Sequence, residues 1–151
     1  MASIALTGQD TVTLNNHIVT DLADGDCVTL DFPNDIAAVK TGKNGNALYA
    51  INETGKQCEV KLRIIRDSAD DKFLQALLTN QQANFSTTPL MIGEFVKLVG
   101  DGQGNLTHDT YILSGGVFTK QVNAKSNVEG DTVQAVAEYT LRFSNAPRSI
   151  T

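Results

Sequence analysis

The chain of 151 residues has no tryptophan and only two histidines and two cysteines. Few groups are therefore on hand for nucleophilic or general-base catalysis, or as soft ligands for a metal. Aromatic residues make up 6% of the chain, too few for a sugar-stacking platform or a base-stacking surface. Positive charge is scarce as well: 12 Lys and Arg stand against 17 Asp and Glu, a net charge of −5. Affinity for a phosphate backbone grows with the Lys and Arg that displace its counterions, so gripping nucleic acid or an anionic membrane is disfavoured. No apolar run approaches the ~18 residues of a membrane span. The start, Met1-Ala2-Ser3-Ile4-Ala5-Leu6-Thr7-Gly8, lacks the basic segment and apolar stretch of a signal peptide. The expectation is a chain made and folded in the cytoplasm, with no membrane partner. Cys27 and Cys58 form no CxxC pair, and Cys58 reads as a small buried thiol.

What is present is punctuation and alternation. Pro33, Pro89 and Pro147 are the only prolines, and each falls near an expected element boundary. Short strands are predicted at Ile4–Leu6, Val12–Leu14, His17–Thr20 and Cys27–Phe32, with Asn15-Asn16 and Asp24-Gly25-Asp26 as turns. Residues 36–56 read as a protruding hairpin or long loop, with strands at Ile36–Lys40 and Ala47–Asn52 around a turn-rich tip. Gln57–Ile65 alternates cleanly: Cys58, Val60, Leu62 and Ile64 face a core while Gln57, Glu59, Lys61 and Arg63 face water. Ser68 is an N-cap, and Asp70 and Asp71 suit the positive end of a helix dipole. Phe73, Leu74, Leu77 and Leu78 then make a helical stripe that fades near Asn84. Strands follow at Leu90–Val99, Leu106–Leu113, Val117–Ala124 and Val133–Phe143. Their turns are Gly100–Asn105, Gly115-Gly116 and Asn127–Asp131. In the last strand Val133, Ala135, Ala137, Tyr139, Leu141 and Phe143 share one face, and Gln134, Val136, Glu138, Thr140 and Arg142 the other. The sum is a single domain over residues 1–151. It is a mainly β, antiparallel β-sandwich or barrel with one short α-helix packed on a sheet.

Charge is unevenly distributed. Asp10, Asp21, Asp24, Asp26, Asp31 and Asp35 lie in the first 35 residues, which hold no Lys or Arg. Catalytic patterns are missing: neighbouring His108 and Asp109 would point to opposite faces of a strand. No HExxH or spaced His/Cys set exists for zinc. The Gly100–Asn105 segment leads into no helix and carries no Lys-Ser/Thr pair, so it is a turn rather than a phosphate cradle. It also lacks the spaced oxygen ligands of an EF-hand. No cofactor, no metal and no enzymatic activity are expected.

The element order — short N-terminal strands, extended hairpin, amphipathic strand, one helix, four strands — resembles the tail tube proteins of contractile bacteriophage tails. Related tubes occur in contractile bacteriocins and type VI secretion. The texture of Ser114-Gly115-Gly116-Val117-Phe118-Thr119-Lys120 is similar to that family's, as is Val133–Phe143 followed by Ser144-Asn145-Ala146-Pro147. The resemblance implies homo-hexameric rings stacked into a tube inside a sheath, with tape measure and baseplate proteins as further partners. It implies a virion tail, assembled in the bacterial host's cytoplasm, through which DNA passes without specific binding. Six subunits with four strands each, at ~4.8 Å spacing and ~40° tilt, would give a barrel roughly 48 Å across and a lumen near 40 Å. Glu59, Lys61, Arg63, Gln134 and Glu138 are the lumen-facing candidates. The hairpin is the inter-ring candidate through Lys40, Lys43, Asn44 and Lys56, its lysines meeting the acidic first third of the adjacent ring. Two other readings stay open: a tube subunit of a DNA-free contractile injection system, and a monomeric β-sandwich binding module.

Overall fold

The computed structural model describes residues 4–6, 10–126, 128, 130 and 132–151. In chain order the strands are β1 (Ala5–Leu6), β2 (Thr11–Leu14), β3 (His17–Val19), β4 (Val28–Asp31), β5 (Ala37–Thr41), β6 (Ala47–Ile51) and β7 (Cys58–Ile65). The helix α1 (Ala69–Ala83) follows, then β8 (Met91–Gly100), β9 (Leu106–Phe118), β10 (Asn123–Ala124), β11 (Val136–Asn145) and β12 (Arg148–Ile150). One antiparallel sheet runs in the order β3-β2-β8-β9-β11-β7-β4, with β1 added to β8, β10 to β11 and β12 to β9. Among the described residues β5 and β6 pair only with each other.

The mainly β architecture with one helix on a large antiparallel sheet is as expected, in its sandwich-like form: the sheet does not close into a barrel. Its ends nevertheless approach. The chain leaving β3 reaches β7, where Ala23 N–H donates to Arg63 O (2.8 Å) and Ile65 N–H donates to Asp21 O (2.9 Å). Val12 and Leu14 of β2 therefore share one buried cluster with Val60, Leu62 and Ile64 of β7 and with Tyr139, Leu141 and Phe143 of β11. Leu74 and Leu78 of α1 close that cluster, with Phe73 and Leu77 packed at its margin. Each fully buried side chain of this kind stabilises the fold by roughly 1.5–3 kcal/mol.

Ser68 caps α1 as its sequence position requires, its Oγ accepting from Asp71 N–H at 3.2 Å. The first turn at Asn15-Asn16 takes left-handed backbone at both residues, the geometry of a tight hairpin between antiparallel strands.

Three expectations fail, each for a visible reason. Gly115-Gly116 is not a turn; it lies inside β9, which continues to Phe118. A Cβ on Gly116 would sit 2.3 Å from the Phe143 ring, and one on Gly115 (φ +66°) would sit 2.1 Å from Ser144 Oγ. The glycines let β11 approach β9 closely. The strand expected at Val117–Ala124 is accordingly split: Val117 and Phe118 complete β9, and only Asn123–Ala124 forms the separate strand β10. The last strand begins at Val136 rather than Val133, because Thr132–Ala135 forms a 3-10 turn. Ala135 is consequently exposed rather than packed beneath the helix. Of the turn expected over Asn127–Asp131, residues Asn127, Glu129 and Asp131 lie outside the described residues.

Candidate assembly surfaces

Within residues 36–56, β5 and β6 form a hairpin. Every one of its strand residues is exposed. Its base is fixed: Asn52 N–H donates to Ile36 O at 2.9 Å, and Gly55 packs where a Cβ would meet Asp35 O and Ile36 Cα at 2.6 Å. Cross-strand pairs Ala37–Ile51, Val39–Tyr49 and Thr41–Ala47 form a face without charge. Lys40 is the only charged residue in the two strands. Ile36, Val39, Leu48, Tyr49 and Ile51 are each 60–76% exposed. Isolated exposed apolar residues are ordinary, but a contiguous set on one projection marks an interaction site. Lys40, Lys43 and Asn44 gather toward the hairpin tip, whereas Lys56 lies at its base, 2.8 Å from Glu53. The apolar character of the hairpin escaped the charge-centred sequence reading. Its signal is Leu48-Tyr49-Ala50-Ile51, an apolar run no core residue pairs with.

A second surface is the outward face of β4, β7 and β11. In register, Asp31 lies beside Glu59 and Glu59 beside Arg142. Thr140, beside Lys61, is buried, and Glu138 lies beside Arg63. Glu59 sits 3.3 Å from Arg142 and 3.9 Å from Lys61, and Arg63 donates to Asp24 O at 2.7 Å. Asp31, Glu59 and Glu138 thus balance Lys61, Arg63 and Arg142. Four candidates, Glu59, Lys61, Arg63 and Glu138, share this face. Gln134 stands apart from them in the turn before β11. In the acidic first third, Asp24, Asp26, Asp31 and Asp35 are exposed, while Asp10 pairs with Lys97 at 2.9 Å.

Where acids and histidines do cluster, they hold structure. Asp70 is buried and accepts from the N–H groups of Thr20 and Asp21 at 2.7 Å each and from His17 Nε2 at 2.6 Å. Burial pushes its carboxyl up, but the Asp21 N–H, the His17 ring and the Thr20 N–H outweigh that and hold it below the usual range. The His17 ring stacks on Phe73 with centroids 4.1 Å apart. Tyr139 O–H donates to Asp71; burial and that bond both raise the phenol's pKa. Burial likewise pushes the Cys58 thiol up to about 11, which leaves it unreactive.

His108 pairs through its backbone with Thr151, 2.8 and 3.0 Å. Asp109 is held by Arg148 in two bonds of 2.7 and 2.8 Å, so the two side chains make no dyad. Asp101 closes the β8–β9 loop by accepting from Gln103 and Asn105 N–H. Among the described residues no group of three or more His, Cys, Asp or Glu could hold a metal ion, and no helix is long and apolar enough to cross a membrane.

The fold is sandwich-like: one large antiparallel sheet carrying a single helix. No family model and no curated protein matches the sequence. The fold has counterparts among solved structures. One is a chain of an extracellular contractile injection system, the PVC sheath–tube complex in its extended state: TM-score 0.61, 12% identity, 94% of this chain and 88% of that one. Another is in the anti-feeding prophage cap, which terminates the AFP tube: TM-score 0.59, 13% identity, 96% and 90% coverage. A third is in the six-fold symmetrised AFP baseplate: TM-score 0.51, 14% identity, 100% and 97% coverage. At these identities the likeness is one of fold. The counterparts are structural components of injection particles.

Proposed function

We propose that the chain is a non-enzymatic structural subunit of the inner tube of a contractile tail-like particle. Six copies form a ring, and rings stack into a conduit that engages sheath, tape measure and baseplate proteins after assembly in the bacterial cytoplasm. The observation that carries this reading is the hairpin: ten exposed strand residues on a tail-tube-like fold, Lys40 the one charge among them, paired among the described residues only with each other. A monomer gains nothing from that exposure, whereas an assembly buries it. The hairpin is the inter-ring contact, with Lys40, Lys43, Asn44 and Lys56 on it. Glu59, Lys61, Arg63, Gln134 and Glu138 face the lumen. Negative-stain microscopy and sedimentation of the purified chain test this: rings or tubes support it, and a monomer at all concentrations and salts refutes it.

The second reading concerns cargo. DNA ejection makes the tube part of a phage virion; a DNA-free injection system uses the same conduit for other loads. The solved counterparts come from an extracellular contractile injection system and the anti-feeding prophage baseplate, which supports an injection particle; a β4–β7–β11 face whose charges cancel suits either load. Nuclease-protected DNA inside purified particles would decide for the phage.

A further inference from the structure

We infer that the uncharged face of the hairpin, Val39, Tyr49 and Ile51, docks into a pocket on a second copy of this chain, at the corner between the end of α1 and the start of β8. The inference rests on the assembly reading above and names the receiving site. The pocket has a volume of about 220 Å³; Leu77, Phe85, Leu90, Met91 and Phe118 supply apolar wall, and Asn15, Asn80 and Thr88 stand at it as uncharged polar residues. No Asp, Glu, Lys or Arg lines it. Its buried polar group, Gln81, is already satisfied: the amide nitrogen donates to Phe118 O and the amide oxygen accepts from Phe118 N–H, both at 2.9 Å. The site therefore offers an incoming group apolar contact and no unpaired buried donor or acceptor, which suits an apolar side chain and not a charged ligand. Phe85 and Leu90 stand at its mouth 68% and 61% exposed.

The occupant is a second copy for two reasons. The hairpin face opposing Lys40 is equally free of charge, so joining the two surfaces desolvates no ion on either side. Val39, Tyr49 and Ile51, each 60–76% exposed, offer an area on the order of 450 Å², about half of the ~800 Å² per partner of a standard interface, so this contact is one part of a subunit interface rather than a small-ligand site. The hairpin and the pocket are different surfaces of one chain, so the contact is heterologous. Such contacts propagate from copy to copy and close into rings or extend as stacks.

Intermolecular cross-linking tests it. A chain with Val39→Cys is mixed with a chain of different tag size carrying Phe85→Cys, both in a Cys27→Ser background, and assembled before oxidation. The expected product is a mixed-size disulfide dimer, absent from a control pair of Val39→Cys with Ile150→Cys. Assemblies that form normally but cross-link the hairpin elsewhere, or not at all, overturn the pocket assignment and leave the assembly reading standing. Chains that never assemble overturn both. Leu90→Asp, at an exposed position, gives a second reading: a folded chain by circular dichroism with at least a tenfold loss of assembly. Assembly unchanged by Leu90→Asp overturns the inference.

Discussion

His17 Nε2 lies 2.6 Å from Asp70 Oδ1, joining the first hairpin of the sheet to the first turn of the helix across 53 positions of sequence. The same carboxylate takes the N–H groups of Thr20 and Asp21, just before the chain crosses to β7. One side chain thus anchors the segment through which the ends of the sheet approach each other.

Removing that anchor is expected to be costly. Asp70→Ala leaves two backbone donors without their acceptor, worth about 2 kcal/mol or more. For a domain of this size that lowers Tm by about 4–8 °C. The pH dependence has a definite sign. The carboxyl's pKa is depressed in the folded state, so its stabilisation is present above the ordinary carboxylate pKa and disappears as pH falls through the lower, folded value. Denaturant titrations at stepped acidic pH should show this loss in the wild type. In Asp70→Asn the loss should be smaller; equal acid sensitivity in both would show that Asp70 is not the group responsible.

Gly116 supplies a second test, because its missing side chain is what Phe143 occupies. Gly116→Ala should destabilise by ~1–3 kcal/mol through overpacking. Shrinking the partner relieves it: Gly116→Ala with Phe143→Leu should be more stable than the sum of the two single changes, by a measurable coupling. Additive losses would mean the two residues do not compete for the same space.

These two sites mark how far sequence reasoning reached. The alternation in β7 and the Ser68 cap were legible because burial and capping are local patterns: every second residue, or one hydroxyl before an acidic turn. Gly115-Gly116 was not, because glycine reads as a turn locally, while the reason for Gly116 here is the Phe143 ring, 27 residues further on in β11. The His17–Asp70 contact was equally invisible, since neither residue has a local motif. The hairpin's position was legible from its turn-formers. Its exposed apolar face was not, because a run such as Leu48-Tyr49-Ala50-Ile51 suggests a core until a fold shows it outside one. The charged candidates Glu59, Lys61, Arg63 and Glu138 came out on one face by simple alternation; Gln134 did not, because the strand starts later than its pattern suggested.

The lysines of the hairpin can be separated from its apolar face. Lys40, Lys43 and Lys56 are exposed, so reversing all three to Glu should change monomer stability by only about 0.5 kcal/mol each at most. If they meet exposed acids such as Asp24, Asp26 and Asp35 on an adjacent ring, the reversed chain forms shorter tubes, with the deficit greatest at low salt where screening is weakest. Tube lengths measured by electron microscopy at two ionic strengths check this. Lengths unaffected by reversal would remove the electrostatic contact and leave the apolar one.

The charge-balanced face makes a prediction about passage. Asp31, Glu59 and Glu138 offset Lys61, Arg63 and Arg142 across three paired strands, and Glu59 lies within 4 Å of both Lys61 and Arg142. A wall of this kind presents cations that are already neutralised, so a polyanion releases few counterions on touching it. Glu59→Lys with Glu138→Lys frees the existing cations and adds two more. That variant should bind duplex DNA at ~50 mM salt and lose it by orders of magnitude near 200 mM, as the number of phosphate contacts dictates. The wild type should bind at neither. Fluorescence anisotropy with a labelled duplex reads both. Tight wild-type binding at low salt would show that the acids do not mask the bases. Failure of the doubly reversed chain to bind would show that the face is closed to a duplex, which a lumen wall in an unassembled chain is not.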